Sequence, residues 1–254
     1  MEKYVIFCDL DGTLYIDGKP FEGISKMLCK LRSMGHEIFY TTNNTSSSSK
    51  EYRKKLSKLD FPLKADSLIT PLNIAKNFFL QSKYKNTYLS GSKSVKNEFY
   101  IDPHKTNSNK KPDSILMTFN KELDYEELLK LSQWINEGVP YFLTHIDYSC
   151  PTKYGPIPDC GAIGELLYRT TNIKYTDHFG KPGKYYSSHL QDIVNKRASI
   201  FIGDRLYTDA KIGKDIGAKT IIVLSGETSE KSDDKDIHFY DTAYEFFETI
   251  IQND

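Results

Sequence analysis

The sequence predicts an α/β protein whose core is a Rossmann-like, doubly wound parallel sheet, with a smaller α/β domain inserted into it. Short apolar runs rich in β-branched and aromatic residues, at Tyr4–Cys8, Glu37–Tyr40 and Ser199–Ile202, are typical of buried parallel strands. Helical patterns lie between these runs, as crossover connections require. One gap between polar strand ends is much longer than a crossover, and this gap predicts the inserted domain.

The first third of the chain reads as alternating strands and helices. A helical pattern over Ile24–Met34 is closed by Gly35, and a strand over Glu37–Tyr40 follows. Ser46–Ser49 precedes a helical pattern rich in Lys and Arg, so these serines are interpreted as an N-capping segment. Pro71 is expected to be the first residue of the next helix.

The insertion follows from spacing. From Asp9 to Thr42 is 42 − 9 = 33 residues, which leaves no room for a second domain, whereas Thr42 to Lys181 is 181 − 42 = 139 residues. We therefore expect a core over residues 1–83 and 178–254 and an inserted α/β domain over 84–177. Within the insert the sequence predicts strands over 87–89, 115–117 and 141–143, a helix over Tyr125–Asn136, and a surface loop over Asp102–Asp113.

The last third returns to the core. Its predicted elements are a helix ending near Asn195, a strand over Ser199–Ile202, a helix through Gly217, a strand over Thr220–Leu224, a polar loop over Ser225–Asp236 and a C-terminal helix over Thr242–Ile251.

Polar residues follow three of the predicted strands, at the edge of an open sheet where ligands bind. The residues concerned are Asp9 and Asp11, Thr42 and Asn43, and Asp204 with Asp209; Lys181 lies in a tight Gly-Lys-Pro loop. Gly12 lacks a Cβ and lets backbone N–H groups approach an anion. A solvated Asp-Gly turn is the alternative reading for the first pair alone.

The charges of this set predict a metal ion. Four carboxylates in one pocket repel one another, and Lys181 alone does not balance Asp9, Asp11, Asp204 and Asp209. A hard divalent cation does, and carboxylate oxygens without His or Cys select Mg²⁺ over zinc. The alternative is four acids that are only solvated at the rim.

These motifs, in this order, resemble the haloacid dehalogenase superfamily of aspartate-nucleophile phosphatases, and more closely its NagD-like and 4-nitrophenylphosphatase branch. The matching segments are Asp-Leu-Asp-Gly-Thr-Leu from Asp9, Thr-Asn-Asn from Thr42, Gly-Lys-Pro around Lys181, and Gly-Asp-Arg-Leu-Tyr-Thr-Asp from Gly203. The resemblance covers nearly the whole chain. It implies a cap domain between the second and third motifs and an aspartyl-phosphate intermediate.

The resemblance also implies residue roles. Asp9 would be the nucleophile and touch the metal, while Asp11 would be the general acid and base and bind Mg²⁺ through its carbonyl. Asp204 would ligate the metal, and Asp209 would bind or support it or orient Lys181. Substrate binding would fall to Gly12, Thr42, Asn43 and Lys181, the last three on the phosphoryl group.

Cap loops would choose the substrate, a small phosphate monoester such as a sugar, polyol or nucleoside phosphate, with 4-nitrophenyl phosphate as a generic one. The residues concerned here are His145, Asp147 and Asp159. His145 and Asp159 depart from the pattern of the relatives, which often carry Asn and Gly there. His145 is read either as a specificity residue or as a structural histidine satisfied within the cap.

Two other functions stay open at this point: phosphoryl transfer to an acceptor other than water, and a regulatory protein that binds a phosphorylated ligand without turnover. Asp11 argues against a dehalogenase, because dehalogenases of this superfamily lack the second aspartate.

Composition points to no nucleic-acid or membrane partner, since 34 basic and 34 acidic residues give a formal net charge of +0. We expect a cytoplasmic protein, because the sequence shows neither a leader nor an apolar span. The four cysteines lack metal-ligand spacing and are expected to be core or loop residues. A homodimer stays open.

Overall fold

The computed structural model describes residues 2–100, 110–152 and 154–253. Its strands are β1 (Val5–Asp9), β2 (Tyr15–Ile16), β3 (Lys19–Pro20), β4 (Glu37–Thr41), β5 (Leu68–Ile69), β6 (Thr87–Ser90), β7 (Ser114–Met117), β8 (Tyr141–Leu143), β9 (Ser149–Cys150), β10 (Ile157–Pro158), β11 (Asp177–His178), β12 (Ser199–Gly203), β13 (Lys219–Val223) and β14 (Ile237–Tyr240). Its α-helices are α1 (Ile24–Ser33), α2 (Ser49–Lys58), α3 (Pro71–Gln81), α4 (Lys93–Phe99), α5 (Tyr125–Asn136), α6 (Cys160–Thr171), α7 (Lys184–Val194), α8 (Lys211–Asp215) and α9 (Ala243–Asn253). A π-helical turn over Leu206–Ala210 precedes α8. Among the described residues, the helices are all too short or too polar to cross a membrane.

The chain divides into two compact units, the first made of Met1–Thr42, Lys50–Ile69 and Lys181–Asp254. Its sheet has the strand order β14-β13-β12-β1-β4-β5, with every neighbouring pair parallel. The strand order reverses at β1, because later strands are added on both sides of it. Such a switch point opens a crevice at the carboxyl ends of the strands, where ligands bind in doubly wound sheets.

Burial explains why the central strands read as continuous apolar runs. All five residues of β1 and of β12 are buried, since helices cover both faces of a parallel sheet. On one face α1 and α9 pack against each other, and Leu28 and Phe246 contribute to the same apolar core. This rigid core holds the strand ends that carry the candidate site.

The second unit comprises Asn43–Ser49 and Thr70–Gly180. Its sheet has the order β11-β8-β7-β6 and is parallel throughout. Aromatic rings form one side of its core, with Phe78, Phe79, Phe142 and Phe179 in mutual contact at ring-centroid distances of 5.2 to 5.9 Å. Helices α5 and α6 pack together around Leu131 and Leu167. The unit is α/β, as the alternation of patterns predicted.

Most predicted elements are confirmed to within about two residues, and the helix over Tyr125–Asn136 has the predicted bounds. Pro71 is the first residue of α3, and Thr70 caps it by accepting from the Asn73 N–H. The predicted insert boundaries of 84–177 stay a prediction; the second compact unit also takes in 43–49, 70–83 and 178–180. Most of the loop predicted over Asp102–Asp113 lies outside the described residues.

Candidate active site

The turn after β1 presents Asp9 and Asp11 differently. Asp9 is the last strand residue and only 7% exposed, whereas the Asp11 side chain is 46% exposed. Gly12, with φ +88°, makes this turn, and a Cβ there would lie 2.4 Å from the Asp204 carboxylate. Glycine is therefore required both by the backbone conformation and by the close approach of Asp204.

Lys181 joins two carboxylates of the site. Its Nζ donates to Asp9 Oδ1 and to Asp209 Oδ1, each at 2.6 Å, and the side chain is 2% exposed. Burial alone lowers the pKa of a lysine, but here Asp209 and Asp9 outweigh burial and hold the pKa of Lys181 above its usual value. Lys181 is thus a fixed positive charge beside the Asp9 carboxylate.

Asp204 and Asp209 follow β12, and the chain holds each of them by backbone N–H groups. The π-helical turn brings Asp209 back over the strand end, where its Oδ2 accepts from the N–H groups of Asp204 and Arg205, both at 3.2 Å. Asp204 Oδ2 accepts from the Glu227 N–H at 2.7 Å. Both Asp209 oxygens are therefore engaged, one by Lys181 and one by the backbone.

Burial, together with an excess of negative charge, raises the pKa values of Asp9 and Asp204. Burial, and then the nearby charge of Asp209, raise the pKa of Asp204 to about 7. Burial, with the charges of Asp209 and Asp204, also raises the pKa of Asp9 well above its usual value, although Lys181 opposes this. Three carboxylates against one ammonium leave 3 − 1 = 2 negative charges in excess when all are ionised.

A divalent cation fits this charge balance. One carboxylate oxygen from each of Asp9, Asp204 and Asp209 lies within 4.8 Å of the other two. The Oδ1 atom of Asp204 is buried and has no hydrogen-bond partner among the described residues. A buried carboxylate oxygen without a donor is costly unless a cation contacts it. The oxygen-only donor set suits Mg²⁺.

Asp11 is not a member of this cluster and contacts other side chains. Tyr15 donates its hydroxyl hydrogen to Asp11 Oδ2 at 3.2 Å, and Lys55 Nζ lies 3.9 Å from Asp11 Oδ1. Partial burial raises the pKa of the Asp11 carboxyl, while Lys55 and the Tyr15 hydrogen bond oppose the rise. The structure therefore separates a buried carboxylate paired with a lysine from a half-exposed one that can exchange protons with solvent.

Two predicted phosphoryl-binding residues fall in different units. Thr42 follows β4, is buried, and donates its N–H to the Ile69 carbonyl at 3.3 Å. Its neighbour Thr41 pairs with Asp9 across the sheet. Asn43 belongs to the second unit, where its Nδ2 donates to Asp147 Oδ2 at 3.2 Å.

The predicted cap residues form one buried network. His145 Nε2 lies 2.8 Å from Asp159 Oδ1, and its Nδ1 lies 3.1 Å from Thr144 Oγ1. Asp159 also caps α6 by accepting from the Cys160 N–H at 2.6 Å. Hydrogen bonds thus use both ring nitrogens of His145, which is 0% exposed. These contacts favour the reading of His145 as satisfied within its own unit, and its role in specificity stays a prediction.

Sequence reasoning missed Tyr15 and Lys55. Tyr15 follows Asp11 by four residues, so a tight turn could have suggested the contact. Lys55 is one of many basic residues on α2, and nothing in the sequence distinguishes it from the others.

Sequence profiles of known families match two segments of the chain, which together include most of the first unit. The profile described as haloacid dehalogenase-like hydrolase matches residues 6–100, and a second HAD-hydrolase-like profile matches residues 178–246. All three acids of the carboxylate cluster lie inside these two matches.

Relatives match along almost the whole chain. An acid sugar phosphatase of Staphylococcus saprophyticus is 24% identical over 92% of this chain and 92% of its own. The 5′-nucleotidase YutF of Bacillus subtilis is 24% identical over 95% and 96%. The crystal structure of a 4-nitrophenylphosphatase from Thermotoga maritima superposes with a TM-score of 0.88 at 29% identity, covering 97% of each chain.

Proposed function

Because this chain belongs to the haloacid dehalogenase superfamily, in its NagD-like phosphatase branch, we propose that it is a magnesium-dependent phosphatase of small phosphorylated metabolites. One observation is the main support for this proposal. The buried Asp9 carboxylate is bonded to Lys181 within a cluster of three carboxylates, and a half-exposed Asp11 lies two residues further on. This arrangement supplies a nucleophile and a separate proton donor on one turn.

In the first half-reaction Asp9 attacks phosphorus. A bond forms between a carboxylate oxygen of Asp9 and phosphorus, the bond from phosphorus to the leaving oxygen breaks, and that oxygen keeps the electron pair. Asp11 gives its proton to the leaving oxygen, which leaves as an alcohol. Lys181 stabilises charge on the phosphoryl oxygens, and Thr42, at the next strand end, donates a hydrogen bond to them.

In the second half-reaction Asp11 acts as a base. It takes a proton from a water molecule, whose oxygen attacks phosphorus and releases the Asp9 carboxylate together with inorganic phosphate. Asp11 ends protonated, ready for the next substrate. Its half-exposed position suits this double role, because the group must meet both the leaving alcohol and the incoming water.

Magnesium would be held by Asp9 and Asp204, with the Asp11 carbonyl as a further ligand and Asp209 in support. When bound, it would neutralise the charge of the phosphate ester and of the carboxylates around it. Asp209 bonds to Lys181 and to two backbone N–H groups, so we assign it the task of fixing Lys181. In this proposal residues 84–177 form the cap that chooses the leaving group.

The substrate class rests on the relatives. One carries the name acid sugar phosphatase, another 5′-nucleotidase and a third 4-nitrophenylphosphatase, and each spans nearly its full length on this chain. Their common reaction is hydrolysis of a small phosphate monoester, and we propose the same for this protein, with sugar, polyol or nucleoside phosphates as substrates.

The test is hydrolysis of 4-nitrophenyl phosphate by the full chain after treatment with a chelator. We expect no turnover in chelator, restoration by Mg²⁺, and poor support by Ca²⁺, whose looser coordination lets both Asp9 oxygens bind. Asp9→Asn should lower kcat by more than about 10³-fold, because it removes the nucleophile. Phosphate release should equal 4-nitrophenol release; a deficit of phosphate would indicate transfer to another acceptor.

The matched control is Asp66→Asn, which makes the same chemical change at an exposed turn position. This variant should keep wild-type turnover. Full activity in chelator would refute the metal requirement, and an active Asp9→Asn enzyme would refute the nucleophile.

A further inference from the structure

A buried tyrosine contacts the carboxyl group that the proposed function uses as acid and base. The Tyr15 hydroxyl donates to Asp11 Oδ2 at 3.2 Å, and the Tyr15 side chain is 0% exposed. Lys55 Nζ lies 3.9 Å from the centre of the Tyr15 ring and 3.9 Å from Asp11 Oδ1. All three residues belong to the first compact unit.

The backbone fixes the geometry of this contact. Gly12 donates its N–H to the Tyr15 carbonyl at 2.9 Å, and the Tyr15 N–H donates to the Leu10 carbonyl at 3.3 Å. Tyr15 starts β2, and its ring packs in the same core as Leu14 and Leu28. The hydroxyl therefore has little freedom to move, because the ring that carries it is enclosed in the core.

Asp11, in contrast, has no such enclosure. Its side chain is 46% exposed, and an exposed aspartate samples several rotamers. A donor on a rigid ring selects the rotamer in which Oδ2 faces Tyr15. The other oxygen is then left on the side of Lys55 and solvent.

We propose that Tyr15, with Lys55 over its ring, is a positioning residue that holds the Asp11 carboxyl group in the orientation needed for proton transfer. The inference rests on the proposed function, because it assigns Tyr15 a task in that reaction. Tyr15 forms and breaks no covalent bond. The cation over the ring face is attracted by the ring electrons and makes the phenol a better hydrogen-bond donor.

The leaving group provides the test. 4-Nitrophenolate departs with little need of a proton, whereas an alkoxide must be protonated as it leaves, so a misplaced Asp11 penalises alkyl phosphates selectively. We expect Tyr15→Phe to lower kcat/KM for an alkyl phosphate such as glycerol phosphate about tenfold, and for 4-nitrophenyl phosphate less than about twofold. The parameter kcat/KM reports the first half-reaction, in which Asp11 is the acid.

Two controls separate positioning from general structural damage. Tyr40→Phe removes the hydroxyl of another fully buried tyrosine in the same core, whose partner is the Pro62 carbonyl at 3.1 Å, and should affect all substrates alike or not at all. Lys55→Arg keeps the cation and should resemble wild type, whereas Lys55→Met should lower alkyl-phosphate kcat/KM about threefold.

The outcomes divide cleanly. An equal loss on alkyl and aryl phosphates, or no loss at all, would overturn the role of Tyr15 while leaving the proposed function intact. The proposed function itself would be refuted if the wild-type chain showed no magnesium-dependent turnover, or if Asp9→Asn did not abolish that turnover. The present inference would then be refuted with it. If Tyr15→Phe is unstable, the comparison of Lys55→Arg with Lys55→Met tests the positioning role instead, because Lys55 is only partly buried.

Discussion

Replacing Asp209 with Asn tests how this site holds its lysine. Both oxygens of the Asp209 carboxylate make hydrogen bonds. Oδ1 lies 2.6 Å from Lys181 Nζ, and Oδ2 accepts from the N–H groups of Asp204 and Arg205. An amide has a single acceptor oxygen, so in either orientation its NH₂ group faces a donor. Losing one charged hydrogen bond and half of a buried ion pair should cost about 3 kcal/mol of unfolding free energy.

Thermal and urea unfolding in chelator measure this cost. At about 2–4 °C per kcal/mol for a chain of this size, Asp209→Asn should lower Tm by about 6–12 °C. Asp66→Asn makes the same change on the surface and should stay within about 0.5 kcal/mol of wild type. An Asp209→Asn protein as stable as wild type would mean that the buried pairing with Lys181 is not as described.

Magnesium titration of the Asp209→Asn variant distinguishes two roles of Asp209: fixing Lys181, or binding the metal directly. If Asp209 fixes Lys181, as its contacts favour, kcat should fall strongly while the Kd for Mg²⁺ rises less than about tenfold, since a supporting residue acts on the metal only indirectly. A rise of about a hundredfold in Kd with unchanged unfolding free energy would identify Asp209 as a direct ligand and refute the reasoning.

Three further predictions concern other parts of the molecule. Asp11→Asn should slow alkyl-phosphate turnover by about 10²–10⁴-fold and 4-nitrophenyl phosphate less; equal losses in steady-state kinetics would exclude Asp11 as proton donor. In urea unfolding, His145→Asn and Asp159→Gly should each lower the free energy of unfolding by about 1–3 kcal/mol. The double variant should lose less than the sum of the two single losses, and strict additivity would contradict the contact between the two residues. Iodoacetamide should label exposed Cys29 and spare Cys160, whose pKa burial raises to about 12; labelling of native Cys160, read by mass spectrometry, would contradict its burial.

Elements with strong local patterns could be predicted from the sequence. Helix α5 has its predicted bounds because Asp124 supplies an N-cap and the apolar residues Leu131 and Ile135 recur on one face. The central strands could be predicted because a parallel strand buried on both faces is a continuous apolar run. The acids at their ends followed, since polar residues after such a strand mark the ligand-binding edge of the sheet.

Features that depend on pairing through space could not be predicted. Strand β5 has only two residues and is defined by its pairing with β4. Strand β14 follows a polar loop, and no sequence pattern marks the residue at which it begins. The Asp209 contact with Lys181 spans 28 residues, and no local pattern indicates it; it is expected only as one of the roles that the family resemblance implies for Asp209. The same holds for Lys55, whose sequence context is a run of basic residues on α2.

His145 and Asp159, which the resemblance marks as departures from the family pattern, also illustrate the limit of local sequence patterns. His145 and Asp159 are fourteen residues apart, yet they are one hydrogen-bonded pair at 2.8 Å, with exposures of 0% and 5%. A single change at either position would leave the other side chain buried without its hydrogen-bond partner. The two residues are therefore best understood as one interacting pair. Because hydrogen bonds occupy both ring nitrogens, His145 offers no free polar atom to a leaving group. We infer that any influence of the pair on specificity passes through the backbone that it fixes, the segment after β8 and the start of α6, rather than through direct contact with substrate.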